Sequence, residues 1–154
     1  MPPRPLGSFL GVITTPLPAA LARQVVRITG LFMSARRKLV VVVDDDRTML
    51  KSLERLLNAS GFDTEVFPSA EAFLARTDAR EAACLILDIH LGGMSGIELR
   101  RRLAESGSAV PVIFMTAFDD ESTHEKATEA GCIVCLRKPF PARSLIGAIN
   151  TAAP

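Results

Sequence analysis

The sequence predicts an α/β fold, a three-layer sandwich in which a doubly wound, five-stranded parallel sheet carries helices on both faces. From residue 38 to the end of the chain, five short strand-like segments alternate with five segments of helical periodicity. Several of the strand segments are almost continuously apolar, which is typical of strands covered on both faces. An apolar fraction of 48% and a charged fraction of 23% are normal for a packed domain.

The first two strand–helix units are predicted from the spacing of apolar residues and from the residues that cap or end each helix. Leu39–Val43 is a run of Leu and Val, and the helix after it has apolar residues three and four positions apart. Gly61 is expected to end that helix, and Ser69 to cap the amino end of the next. The predicted elements are a strand over 39–43, a helix over 47–60, a strand over 62–67 and a helix over 69–77.

The remaining three units continue the alternation. Their apolar segments have strand length, and a helical stretch follows each one. Right-handed crossovers between parallel strands then place helices on both faces of one sheet. The predicted strands cover 84–87, 110–115 and 132–136, and the predicted helices cover 97–105, 119–130 and 141–148.

The amino-terminal part differs from the rest. The first 43 residues contain six basic residues and no acidic one, so the other 111 carry a net charge of −5. Three interpretations compete for this part: a signal peptide, a basic amphipathic helix over 19–32, and an upstream extension before a start at Met33, which we favour. We expect an extension over 1–37, disordered or partly helical, and one domain over 38–154 with no output domain.

Composition argues against two classes of function. Eighteen basic and seventeen acidic residues give a net charge of +1, too balanced for a chain whose main task is to bind nucleic acid. Arg100–Arg102 is expected to be a solvated helix face. There is no uncharged apolar run of eighteen residues, so no transmembrane span is predicted. We therefore expect no direct DNA binding and no membrane association.

Three cysteines, Cys84, Cys132 and Cys135, lie in apolar segments. An odd number indicates a reducing compartment, so a cytoplasmic location is expected. The last two form a C-x-x-C motif in a predicted strand, where residues three apart face opposite sides. Redox chemistry of this motif usually needs a helix start, so buried structural thiols are the preferred interpretation.

Polar side chains follow four of the five predicted strands. In an open parallel sheet, ligands bind outside the carboxyl ends of the strands, so these side chains should converge at one edge. Clustered carboxylates favour a divalent cation such as Mg²⁺, while a hydroxyl and an ammonium suit phosphoryl oxygens. The pattern indicates phosphoryl transfer, with a carboxylate able to act as nucleophile. The residues are Asp44, Asp45 and Asp46 after the first strand, Asp88 after the third, Thr116 after the fourth and Lys138 after the fifth.

These residues stand in motifs that resemble the receiver domain of two-component response regulators. The similarity covers Lys38 to about Asn150, with all four motifs in family order. It implies a flavodoxin-like sheet of order 2-1-3-4-5. The motifs are Val41-Val42-Val43-Asp44-Asp45-Asp46, Leu85-Ile86-Leu87-Asp88, Ile113-Phe114-Met115-Thr116-Ala117 and Lys138-Pro139-Phe140.

The resemblance assigns roles to individual positions. Asp88 would accept a phosphoryl group from a phosphohistidine on a sensor histidine kinase or a histidine phosphotransfer protein. Asp45 would bind Mg²⁺ directly and Asp44 directly or through water, with Asp88 itself and the backbone carbonyl of His90 completing the protein ligands. Thr116 would donate to the phosphoryl group, and Lys138 would pair with it.

The implied function is that of a single-domain response regulator that signals by phosphorylation-dependent docking or by phosphorelay. It would be no enzyme beyond its own phosphorylation and dephosphorylation. One departure concerns output: the position three before Lys138 is usually Tyr or Phe in the family, and here it is Cys135. A phosphorylation-independent docking module is the alternative. A haloacid-dehalogenase-type phosphatase using Asp44 and Asp46 is a further alternative that leaves Asp88 unexplained.

Overall fold

The computed structural model describes residues 36–76, 81–117 and 121–154. Within these ranges strands and helices alternate as the sequence predicts. Residues 1–35, which hold nearly all of the expected extension, lie outside the described residues, and so do residues 119–120 at the predicted start of the fourth helix. The elements are β1 (Leu39–Val43), α1 (Arg47–Ala59), β2 (Asp63–Phe67), α2 (Ala70–Leu74), β3 (Cys84–Asp88), α3 (Gly96–Glu105), β4 (Val112–Thr116), α4 (Glu121–Glu129), β5 (Val134–Arg137) and α5 (Ala142–Ala152).

The strands form one parallel sheet in the order β2-β1-β3-β4-β5, which confirms the doubly wound topology. The register brings the carboxyl ends of the inner strands to one edge. Val43 pairs with Leu87, Asp88 pairs with Met115, and Thr116 pairs with Arg137. The polar residues at and beyond these ends therefore lie on neighbouring strands of a single edge.

Alternate residues of each strand face two separate hydrophobic cores, as the period of two along a strand requires. Val41 and Phe114 belong to the core under α2, α3 and α4, whereas Val42 and Ile113 belong to the core under α1 and α5. β1, β3 and β4 are buried along their whole length. Burial on both faces explains why these strand segments are continuously apolar in the sequence.

Caps confirm several of the predicted helix ends, although α2 ends at Leu74 and not at residue 77 as predicted. The carboxylate of Asp46 accepts the backbone N–H groups two and three residues further on, at 2.8 and 3.2 Å, and so caps α1. The hydroxyl of Ser69 accepts the N–H of Ala72 at 3.0 Å and caps α2. Gly61 and Gly131 follow α1 and α4 with φ of +92° and +79°, a backbone conformation that favours glycine.

Several boundaries differ from the prediction for local reasons. β4 begins at Val112 and not at residue 110, because Pro111 between them has no N–H to donate to a neighbouring strand. α5 continues beyond residue 148 to Ala152, and Ile149 on this extra turn is fully buried. No helix in the described ranges is both long enough and apolar enough to cross a membrane.

The prediction for Cys132 was wrong. β5 starts at Val134, and Cys132 precedes it in the turn after α4, where its N–H donates to the carbonyl of Ala127 at 3.1 Å. The strand alternation does not extend to this turn, so Cys132 and Cys135 pack against the same core and not on opposite faces. Both are half-buried, Cys84 is buried, and none of the three forms a disulfide.

Candidate functional site

The carboxyl edge of the sheet positions the predicted site residues through backbone hydrogen bonds that continue past the strand ends. The N–H of Asp44 donates to the carbonyl of Phe67 at 3.1 Å, beyond the last pair of β1 and β2. The N–H of Lys138 donates to the carbonyl of Thr116 at 2.7 Å. The residues directly after β1 and β5 therefore remain hydrogen-bonded to the neighbouring strands.

The ammonium of Lys138 bridges two carboxylates at this edge. Its Nζ donates to Oδ2 of Asp44 and to Oδ2 of Asp88, both at 2.7 Å. The other oxygen of each carboxylate accepts a backbone N–H: Asp44 Oδ1 from Asp46 and Asp88 Oδ1 from His90, both at 2.8 Å. Both carboxylates are thus bound at both oxygens, which fixes their orientation.

Burial and pairing set the charges of this cluster. Asp44 is 0% exposed, and burial raises the pKa of its carboxyl group, although the hydrogen bonds from Lys138 and from the N–H of Asp46 offset part of this effect. Burial also acts to lower the pKa of Lys138, but its hydrogen bonds to Asp44 and Asp88 outweigh burial and raise that pKa. The Lys138 ammonium is therefore charged at neutral pH.

The residues fit a magnesium ion. Carboxylate oxygens of Asp44, Asp45 and Asp88 lie within 4.8 Å of one another, and Asp45 is exposed while the other two are buried. An all-oxygen donor set is the kind that Mg²⁺ prefers. When ionised, three carboxylates against the one ammonium of Lys138 leave two negative charges without a partner in the cluster. A divalent cation would balance them, with Asp45 open to solvent.

Two predicted site residues lie at the edge in different ways. Thr116 is the last residue of β4, one position beyond the partner of Asp88, and it is fully buried. His90 has an exposed side chain, and its backbone N–H contacts Asp88. The donation from Thr116 to a phosphoryl group and the metal contact of the His90 carbonyl remain predictions.

Asp46 does not join the carboxylate cluster. Its side chain accepts two N–H groups at the start of α1, and the grouped carboxylates are those of Asp44, Asp45 and Asp88. The phosphatase interpretation needs Asp44 and Asp46 to work as a pair. The capping contacts of Asp46 therefore count against it.

Sequence reasoning missed Gly96, the first residue of α3. A Cβ atom built on Gly96 would lie 2.2 Å from the carbonyl oxygen of Asp88, closer than any side chain can approach. The start of α3 can pass the backbone of Asp88 only because this position is glycine. A glycine directly after the helix cap Ser95, where a stronger helix former is usual, is the signal that could have identified it. The Lys138–Pro139 peptide bond, which is cis, was also not predicted.

Comparison with known proteins agrees with this geometry. Residues 40–150 match the family model of the response regulator receiver domain. The chain is 38% identical to the response regulator protein TmoT of Ectopseudomonas mendocina over 120 residues, which is 78% of this chain and 54% of TmoT. It is also 38% identical to the response regulator protein TodT of Pseudomonas putida over 125 residues, 80% of this chain and 55% of TodT. The chain thus spans about half the length of these relatives.

The fold has close structural counterparts. The crystal structure of FixJ-N superposes with a TM-score of 0.70 at 36% identity, covering 75% of this chain and 93% of the other. The residues matched by the family model include the three clustered carboxylates, Thr116 and Lys138. The sheet order, the acidic edge and the matched sequence lead to one assignment: this chain belongs to the receiver domain family of two-component response regulators.

Proposed function

We propose that this chain accepts a phosphoryl group on Asp88 from the phosphohistidine of a sensor kinase or phosphotransfer protein, in a Mg²⁺-dependent reaction. The observation that carries the proposal is the contact set of the Asp88 carboxylate. One oxygen accepts the N–H of His90, the other accepts the ammonium of Lys138, and both distances are under 3 Å. A carboxylate oriented in this way at an acidic edge is suited to act as the nucleophile.

The chemistry follows from the residues around Asp88. A carboxylate oxygen of Asp88 bonds to phosphorus as the phosphorus–nitrogen bond of the phosphohistidine breaks, and the imidazole leaves and takes up a proton. A bound Mg²⁺, held by Asp44, Asp45 and Asp88, would supply positive charge for the phosphoryl oxygens. The Lys138 ammonium, already within 2.7 Å of Asp88, adds a second positive charge at the same place.

The output of this domain depends on a change at its surface. We propose that phosphorylation of Asp88 alters the protein surface, so that a protein partner docks or receives the phosphoryl group in a relay. The chain would turn over no separate substrate. We also propose that it works in the cytoplasm, because none of its three cysteines forms a disulfide, as is usual in a reducing compartment.

We propose that residues 38–154 make no direct contact with DNA. Some relatives are named transcriptional regulatory proteins, FixJ of Bradyrhizobium diazoefficiens among them, and the chain covers 55% of that relative. On α3, Arg102 pairs with Glu98 at 3.2 Å, so its charge is partly neutralised within the helix. We propose that this domain acts through a protein partner.

Mass measurement tests the phosphoryl acceptor directly. The purified chain is incubated with Mg²⁺ and a small-molecule phosphodonor such as acetyl phosphate, and intact masses are measured. We expect the gain of one phosphoryl group, lost in D88N and lost when EDTA removes the metal. No gain in the unchanged chain, with Mg²⁺ bound normally, would instead favour the phosphorylation-independent docking module, with Cys135 the first residue of interest.

A further inference from the structure

Glu71, on the first turn of α2, contacts the loop that follows the phosphoacceptor. Its Oε1 accepts the backbone N–H of Met94 at 2.9 Å, and 23 residues separate the two in sequence. The hydrogen bond from Met94 is the main reason why the pKa of the Glu71 carboxyl group lies below its usual value. The carboxyl group is therefore ionised at neutral pH. The contact is a hydrogen bond from an uncharged donor to a carboxylate, a strong kind of hydrogen bond.

The loop also shows a close approach to the same oxygen. A Cβ atom built on Gly93 would lie 2.9 Å from Oε1 of Glu71, and Gly93 has a φ of +85°. The positive φ favours glycine at this position. A side chain at residue 93 would also displace the Glu71 carboxylate from its place beside the loop, so the contact with Met94 needs the glycine before it.

This loop, residues 89–95, is called the acceptor loop below. Its first residue, Ile89, donates its N–H to the carbonyl of Met115 at 3.0 Å, and its last residue, Ser95, caps α3. Between these fixed ends lies His90, whose N–H holds one oxygen of Asp88. Glu71, on α2, contacts the same loop at Met94, four residues after His90.

We infer that Glu71 is a positioning residue that holds the acceptor loop in the conformation that Asp88 and a bound Mg²⁺ require. The inference rests on the proposed function, since it concerns the same acceptor. Glu71 lies on α2, and its Oε1 contacts the backbone of the loop, several residues after Asp88. Its effect on the acceptor must therefore pass through the loop backbone.

Three substitutions at this position separate a hydrogen-bonding role from a charge role. E71Q keeps the length of the side chain and an oxygen that can accept the Met94 N–H. E71D keeps the charge near the amino end of α2 and withdraws the oxygen from the loop. E71A removes both, and E105A, an exposed glutamate at the other end of α3, is the matched control.

The measurement is Mg²⁺ affinity by isothermal titration calorimetry, with the amide hydrogen exchange of residues 89–95 as a second readout. We expect E71A and E71D to bind Mg²⁺ about tenfold more weakly, the lower end of the range for residues that support metal ligands, because water can partly replace this exposed side chain. We expect E71Q and E105A to stay within about twofold of the unchanged chain. Exchange in the acceptor loop should rise in E71A and E71D alone.

Three results would overturn the inference. One is an E71A variant that binds Mg²⁺ as the unchanged chain does, and another is an unchanged chain that binds none. The third is a loss in E71Q as large as in E71A with E71D unaffected, which would indicate helix charge and not loop positioning. Mg²⁺ affinity and amide hydrogen exchange can both be measured without phosphorylation. Failure of the proposed function is observed in a different experiment, as the absence of a phosphoryl gain in the intact mass.

Discussion

The Lys138 ammonium lies 2.7 Å from the Asp88 carboxylate, although 50 residues separate the two in sequence. The same nitrogen is 2.7 Å from Asp44, which lies 94 residues before Lys138. One cation therefore joins the ends of three strands. Any cation or phosphoryl group that enters this edge must share the carboxylates with Lys138.

Removal of this ammonium is expected to have opposite effects on metal binding and on phosphorylation. K138M should bind Mg²⁺ more tightly by about fivefold, because the loss of one nearby positive charge at high effective dielectric is worth about 1 kcal/mol. The same variant should gain the phosphoryl group more slowly, because the positive charge beside Asp88 is lost. Calorimetry with Mg²⁺ and timed intact masses measure the two effects.

The exposed Lys51 on α1 supplies the control for K138M. K51M also removes one lysine charge, and both quantities should stay at the values of the unchanged chain. Equal or weaker Mg²⁺ binding by K138M would contradict the electrostatic account of the bridge.

The buried carboxylate of Asp44 predicts a stability change with a definite pH dependence. Burial raises its pKa above 3.8, so the folded state keeps a proton that the unfolded state has released. Stability without Mg²⁺ should therefore fall as the pH rises from about 3.8 to the pKa of the folded state, and then level off. D44N should lack this fall and should be more stable than the unchanged chain at pH 7.

Urea unfolding between pH 4 and 7 in EDTA, followed by circular dichroism because the chain has no Trp or Tyr, checks this prediction. The same slope in D44N as in the unchanged chain would contradict the assignment of the effect to Asp44.

Two glycine-to-alanine substitutions are expected to change stability in opposite directions. G96A should reduce the free energy of unfolding by about 2 to 3 kcal/mol, because the new Cβ meets the backbone of Asp88, which cannot move aside cheaply. G147A, inside α5 with no atom within 4 Å of the position that its Cβ would take, should increase it by about 0.5 to 1 kcal/mol. Urea titrations of both variants measure the difference. A stable G96A would show that α3 can shift away from the acceptor.

Cys84 should be inert in the folded protein. Burial raises the pKa of its thiol to about 12, and the side chain is 0% exposed. Alkylation at pH 8 should leave Cys84 unmodified and should label it only after urea is added, because the thiolate is the reactive form. Peptide mapping by mass spectrometry gives the result for each cysteine. Rapid labelling of Cys84 without urea would contradict the buried position of β3.

The fold was largely predictable because its main determinant is local. A run such as Val40–Val43 is apolar at every position, and only a strand covered on both faces explains that pattern. Alternation with helices then requires parallel strands, and parallel strands bring Asp44 and Asp88 to one edge. The strand order came from the family resemblance, since several orders satisfy the same pattern.

The remaining features depend on contacts between distant segments. Gly96 approaches the end of β3 and Glu71 contacts the acceptor loop. A glycine after Ser95 indicates that its position is unusual, but the local sequence does not identify the partner of either residue. The position of Lys138 between two carboxylates was also not predicted, because its assigned partner was a phosphoryl group. The predicted orientation of Cys132 was wrong because a turn replaces the expected start of β5.

The alternation of strand residues between two cores has a consequence for how such a domain can diverge. Val41 and Val42 are neighbours in sequence, but the sheet separates the groups against which they pack. The packing effect of a substitution under α4 can therefore be compensated by changes in α2, α3 and one face of the sheet. The core under α1 and α5 does not need to repack. Over evolutionary time one face can be remodelled for a new partner while the opposite face, and the acidic edge that both share, is conserved.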